Sequence, residues 1–175
     1  KDVHYVSKSI ELGKSYTIRE LMNYMIVYSD NNATALLNSV MDIKVFAKVF
    51  TDLGIPAPDL TARDIPISVN SYSRFMRAIF NASYLSIENS EYCAELLSKC
   101  DFANGIRSAV PVDIPIAHKF GEAGNANYSC FSEAAIVYVS GAPYLITVMT
   151  KGKDLSALPA VVKDIAKATH EVMAS

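Results

Sequence analysis

The sequence predicts an α+β domain: helices first, then an antiparallel sheet, then one covering helix. Three observations carry this. Up to Cys100 the apolar residues recur at helical spacing, and after Pro111 they alternate with a period of two. The length of 175 residues suits a single domain over residues 1–175, able to bury roughly 70% of the surface its unfolded chain exposes.

Each element has its own signal. Thr17-Ile18-Arg19-Glu20 reads as a capping box, with Thr17 accepting from a backbone N–H and Glu20 reaching back. Ile18, Leu21, Met22, Met25 and Ile26 follow as one apolar face. That helix runs into Tyr28-Ser29-Asp30-Asn31-Asn32, whose short polar side chains compete with the helix backbone and favour a turn. A second helix is expected over 33–40. Asp42 should cap a third, with Val45, Phe46, Val49, Phe50 and Leu53 inward and Gly54 as its stop. Residues 55–66 hold three of the seven prolines and read as a loop.

Helices are expected over about 68–82 and 86–100. The first places Tyr72, Phe75, Met76, Ile79 and Phe80 on one side, and the second buries Tyr92, Leu96 and Leu97. These stripes read as core rather than as a cofactor site. Ile114, Ile116, His118 and Phe120 then alternate with Pro115, Ala117, Lys119 and Gly121, which is strand period. Residues 134–139 and 144–150 make a hairpin around Ser140-Gly141-Ala142-Pro143, and a helix over about 158–173 closes the chain.

Composition excludes several function classes. Half the residues are hydrophobic and 19% are charged, which suits a packed core. The net charge of −2 comes with no basic run, so no nucleic-acid partner is expected. No apolar stretch approaches the roughly 20 residues of a membrane helix. Of the three cysteines, Cys93 and Cys100 lie seven apart on a helix, about 10 Å along its axis, too far for a bridge. No Cys or His spacing resembles a zinc site, and neither metal nor cofactor is expected.

Lys119 stands out, because an ammonium within an apolar strand is costly unless it lines a cleft or has a partner. Acyl transfer needs a hydroxyl to pass a proton, a cation to depress that hydroxyl's pKa and an amide to hold substrate. Ser29, Lys119 and Asn31 are the required types. His118 falls on the face opposite Lys119 and reads as a core histidine.

Several ordered segments then resemble one family. The run from Tyr16 through Met25-Ile26-Val27-Tyr28 to Ser29-Asp30-Asn31-Asn32-Ala33 resembles the class A β-lactamase segment around its S-D-N motif. Gly105-Ile106-Arg107-Ser108-Ala109-Val110-Pro111 is similar to the stretch before the K-T-G strand, and Ala117-His118-Lys119-Phe120-Gly121 to that strand itself. Ile136-Val137-Tyr138-Val139 and the run from Pro143 to Gly152 resemble the next two strands. The resemblance to class A β-lactamases and penicillin-binding proteins covers nearly the whole chain.

It implies that Ser29 shuttles a proton, Lys119 is its electrostatic partner and Asn31 binds the substrate amide. It also implies that the Glu122 N–H forms half of an oxyanion hole, that Gly121 lets substrate approach the strand, and that Tyr5 walls the cleft. Asp30 is expected to be a structural turn residue, and Arg107 a structural arginine.

Three departures qualify the resemblance. No Ser-x-x-Lys tetrad, the family's nucleophile motif, occurs in residues 1–175. The family carries it further upstream of its S-D-N serine than the 28 residues before Ser29, so the chain is expected to be incomplete at its N-terminus. The nucleophile helix and two strands would then lie upstream, with a separate N-terminal segment completing the fold. The loop at 55–66 contains Asp59 and Asp64 but no Glu to drive deacylation, and Arg63-Asp64 is similar to the loop's structural end. Phe120 replaces the Thr or Ser of K-T-G.

The expected function is a serine hydrolase acting by acyl-enzyme chemistry on β-lactams or D-alanyl cell-wall peptides, outside the cytoplasm. The alternative is a non-catalytic relative binding cell-wall peptide or a protein partner through the same groove.

Overall fold

The computed structural model describes residues 5–61 and 65–175. Among them, helices α1 (Ile18–Val27), α2 (Asn31–Val40), α3 (Ile43–Asp52), α4 (Val69–Phe80) and α5 (Ile87–Ser98) precede the sheet. Strands β1 (Ile116–Gly124), β2 (Ser129–Val137) and β3 (Tyr144–Gly152) follow, and α6 (Leu158–Met173) closes the chain. Helices followed by an antiparallel sheet and a covering helix is the α+β order expected.

Five helices start at side-chain caps. Thr17 and Glu20 form the reciprocal capping box, with Thr17 N–H donating to Glu20 Oε2 at 2.7 Å and Glu20 N–H to Thr17 Oγ1 at 3.2 Å. Asp30, Asp42, Ser68 and Ser86 cap α2, α3, α4 and α5. Each such cap contributes about 1 kcal/mol. The start of α2 lies at Asn31 rather than at 33, because the carboxylate of Asp30 claims the Asn32 N–H. Gly54 follows the end of α3 at φ 68, as a stop residue should.

The sheet order is β1-β2-β3, with both neighbouring pairs antiparallel. The register runs from Ile116 opposite Val137 to Gly124 opposite Ser129, so both hairpins, not only the second, are built from adjacent strands. One face of the sheet packs Phe120, Phe131, Ala135, Ile146 and Val148 against Val162 and Ala166 of α6. The other packs Ala117, Ala134 and Ile136 against Met76 of α4 and Leu97 of α5. The site therefore sits on a strand at the outer edge of a three-layer stack.

Some boundaries differ from expectation, for physical reasons. β1 begins at Ile116 rather than Ile114, since Pro115 has no N–H and the Arg107 guanidinium occupies the Ile114 carbonyl at 2.9 Å. β2 begins at Ser129, well before its apolar run, because backbone pairing continues past the point where side-chain alternation fades. Val45, expected inward, is 57% exposed, and Ile18 is 53% exposed. α3 is anchored instead by Phe50, edge-on to Phe75 at 5.3 Å. The reading of Arg63-Asp64 lies outside the described residues.

Candidate functional site

Ser29 is set by the way α1 ends. The helix closes at Tyr28, and Ser29 then takes φ 56, the left-handed region that non-glycine residues rarely occupy. The Asp30 N–H folds back onto the Tyr24 carbonyl at 3.1 Å. Asp30 itself is buried, and its carboxylate accepts the Ile10 N–H at 2.8 Å and the Asn32 N–H at 3.0 Å. Those bonds hold the turn against the preceding loop and the next helix. A strained serine fixed between two ordered neighbours is a common property of functional sites.

Lys119 comes to it from β1, 90 residues later. Its Nζ donates to Ser29 Oγ at 2.9 Å and to the Phe120 carbonyl at 3.1 Å. The ammonium also lies 4.1 Å from the centre of the Phe120 ring, a cation–π contact. Burial holds the Lys119 ammonium below its ordinary value of 10.5, while Cys100, Asp101, Glu133 and Glu122 pull in the opposite direction. A hydroxyl that accepts from a desolvated ammonium is stabilised as it loses its proton, which is what a proton-passing group requires.

The β1 edge supplies backbone donors. Opposed residues of an antiparallel pair alternate between bonded and non-bonded. Tyr138 N–H donates to the Pro115 carbonyl at 3.0 Å, and Asn125 N–H to the Tyr128 carbonyl at 2.9 Å. Together with the register, these make odd positions of β1 face β2 and turn the N–H and C=O of Phe120 and Glu122 toward the outer edge. Lys119 meeting the Phe120 carbonyl fits that direction. At Gly121 a Cβ would lie 3.3 Å from Ser132 Oγ, a close but not prohibitive approach, so packing alone does not demand glycine there.

The remaining expected residues fall around this pair. Asn31 is exposed on the first turn of α2, two residues after Ser29. Tyr5 is half-buried, edge-on to Phe102 at 5.1 Å and to Phe120 at 6.0 Å. It lines a shallow cavity of about 260 Å³ with Val6, Ser7, Asp101, Phe102, Ala103 and Asn104. Burial, then Glu122 and Asp154, push the Tyr5 hydroxyl up. Phe120 is not a cleft residue by packing. It is 4% exposed and stacks into a cluster with Phe102 at 4.4 Å and Phe131 at 6.0 Å. In the loop at 55–66, Asp59 accepts from Thr61 N–H at 2.9 Å and Thr61 Oγ1 at 2.6 Å.

The sequence reading missed two residues. Glu133 is fully buried on β2, its Oε1 2.8 Å from His118 Nδ1. Its signal was a charged residue beside a run of apolar strand residues. Asp101 follows α5 and donates its N–H to the Val27 carbonyl at 3.2 Å, next to the Ser29 turn; no local pattern marked it. Arg107 is structural, its guanidinium holding the Ile114 carbonyl and the Val110 carbonyl at 2.8 Å. Cys93, Cys100 and Cys130 carry free thiols. Among the described residues, no group of three or more His, Cys, Asp or Glu side chains could hold a metal ion, and no helix is long and apolar enough to cross a membrane.

The family described as the beta-lactamase enzyme family matches residues 5–173. Solved structures share the fold. A β-lactamase from Sphaerobacter thermophilus superposes with TM-score 0.81 at 20% identity, over 94% of this chain and 65% of its own. A class A β-lactamase from Mycobacterium abscessus gives 0.76 at 18%, over 94% and 68%. The structure named PBP-A gives 0.74 at 16%, over 93% and 63%. The chain thus spans about two thirds of the length of these proteins. No curated protein shows a significant match.

Proposed function

Since the chain belongs to the β-lactamase enzyme family, we propose that it is the larger part of a class A β-lactamase-like serine hydrolase working by acyl-enzyme chemistry. Its substrates are β-lactams or D-alanyl cell-wall peptides, encountered outside the cytoplasm. The observation that carries this reading is the 2.9 Å bond between Lys119 Nζ and Ser29 Oγ, made between a strained turn and an edge strand. Ser29 relays the proton to the leaving group, and Lys119 stabilises the relay and attracts the substrate carboxylate. Asn31 holds the substrate amide, the outward N–H of Glu122 faces the acyl oxygen, and Gly121 admits the substrate backbone. Tyr5 forms the wall.

The nucleophile comes from a Ser-x-x-Lys segment upstream of Lys1. Two surfaces suit such a segment. Leu36, Val40, Met41, Ile43 and Val45 leave an exposed apolar stripe along α2 and α3. Among the described residues, β3 pairs with β2 alone, leaving an edge for a further strand.

Deacylation is slow in this scheme. No glutamate occurs in the loop at 55–66, and Asp59 is engaged locally by Thr61. The site then accumulates acyl-enzyme in the manner of a penicillin-binding protein. The test is covalent labelling of an upstream-extended chain with a fluorescent penicillin. A band that persists for many minutes, and forms more slowly in Ser29→Ala, supports the reading. A folded, extended chain that takes no label rejects it.

A further inference from the structure

A second set of hydrogen bonds lies beneath the Ser29–Lys119 pair and joins the two elements that carry it. Glu133 sits on the α6 face of β2, opposite Phe120 in register, and is fully buried. Its Oε2 accepts the Ile106 N–H at 2.8 Å, and its Oε1 lies 2.8 Å from His118 Nδ1. An isolated buried carboxylate is strongly unfavourable, and both oxygens here have partners.

The chain is shaped around this group. At Gly105 a Cβ would stand 1.8 Å from Glu133 Oε2, so any other residue would displace the carboxylate. On one side, Glu133 binds the turn at 101–106, whose Asp101 N–H holds the Val27 carbonyl two residues before Ser29. On the other, it binds His118, the neighbour of Lys119 on β1. The circuit closes at the bond from Lys119 to Ser29.

We propose that Glu133 is a positioning residue for the Ser29–Lys119 pair. Through Ile106 and His118 its carboxylate ties the turn that braces Ser29 to the strand that carries Lys119, and it lies behind that strand. The structural role stands on the hydrogen bonds alone; its catalytic consequence rests on the acyl-transfer reading. Four groups act electrostatically on Lys119: Glu133 from the other face of the sheet on β2, Glu122 on its own strand, and Cys100 and Asp101 after α5. Glu133 is faced by His118 from β1 and acts on Tyr72 of α4 and on Cys100.

The deciding experiment uses Glu133→Gln, which keeps the shape and one acceptor oxygen for the Ile106 N–H, but turns an amide NH2 toward His118 and removes the ionisable carboxylate. The Lys119 titration is followed by NMR of ε-¹³C-labelled lysine, assigned with Lys119→Arg. The expected result is a downward shift of the Lys119 midpoint in a folded protein, because one of the charges favouring the ammonium is gone. An unchanged midpoint overturns the proposal. If Glu133→Gln does not fold, Gly105→Ala serves instead, since it crowds the carboxylate away from both partners without removing it. A changed Lys119 midpoint is expected there too, and an unchanged one overturns the proposal.

In the upstream-extended chain, either variant should lower the maximal rate of penicillin labelling more than it raises half-saturation, as loss of positioning would. Absence of any labelling in the wild type would reject acyl transfer while the NMR result still decides Glu133. Labelling with an unmoved Lys119 midpoint would reject Glu133 and leave acyl transfer standing.

Discussion

Restoring the family hydroxyl at Phe120 should damage the protein rather than improve it. Phe120→Thr removes a ring that is 4% exposed and stacked at 4.4 Å on Phe102 and 6.0 Å on Phe131, with Tyr5 edge-on at 6.0 Å. Truncating a buried Phe costs about 3–5 kcal/mol. The threonine methyl recovers a little of that, but its hydroxyl, placed among aromatic rings without a partner, costs about 1–3 kcal/mol. The net loss is about 3–7 kcal/mol, against a whole-domain stability of about 5–15 kcal/mol. The ammonium of Lys119 also loses the ring face 4.1 Å away.

The assay is urea unfolding followed by far-UV circular dichroism, where the midpoint should fall with little change in slope. Phe120→Leu should lose about 1–2 kcal/mol by the same reasoning. A threonine variant within about 0.5 kcal/mol of wild type, or one that labels faster with penicillin, would refute the placement of this ring in the core.

Other consequences can be checked alongside. Ser29→Gly relieves φ 56 by up to about 1 kcal/mol but takes an acceptor from the part-buried Lys119 ammonium, at about 1–3 kcal/mol, while labelling slows about 100-fold. Ser29→Ala, which loses the same acceptor but keeps the side-chain carbon, should be the less stable of the two, and equal losses would count against strain at this turn. Because burial lowers the Lys119 pKa from 10.5, the ammonium is lost at a lower pH in the folded than in the unfolded chain. Labelling should therefore fall, and stability rise, as pH increases from the folded midpoint toward 10.5. Lys119→Met should abolish that contribution to the stability slope, and an unchanged slope would contradict it. Asp30→Ala strips the cap of α2 and leaves the Ile10 N–H without its acceptor, for about 2–4 kcal/mol by thermal unfolding. Asp30→Asn should cost much less, and equal losses would refute the hydrogen-bond account.

Local chemistry made most of the fold legible. Thr17 and Asp42 were readable as caps because the signal lies within three residues of the boundary, the helices expected from about 68 and 86 are α4 and α5, and the helix expected over 158–173 is α6 itself. Strand ends were less legible. Ser129 to Ser132 pair with β1 through backbone bonds that side-chain alternation does not report. Val45 is periodic with Phe46 and Val49, yet its exposure depends on what covers α3, which periodicity does not encode.

In the site, Ser29 and Lys119 could be read as residue types, but not the left-handed backbone at Ser29 nor the 2.9 Å contact across 90 residues. Phe120 stood out as a departure from the K-T-G pattern. Only packing gives it a positive role, as part of the aromatic cluster under the ammonium. Glu133 was hidden because its partners, Ile106 and His118, lie 27 and 15 residues away.

The most direct test of the Ser29–Lys119 pair is a double-mutant cycle on acylation. An upstream-extended chain, Ser29→Ala, Lys119→Ala and the double variant are each mixed with penicillin, and the rate of adduct formation is read by intact-protein mass spectrometry. Groups that act as one unit give strongly non-additive losses. The predicted result is a covalent adduct in wild type, slowed about 100-fold or more in each single variant, with the double variant little slower than the worse single. Losses that multiply in the double variant, or a folded wild type that forms no adduct, would contradict it.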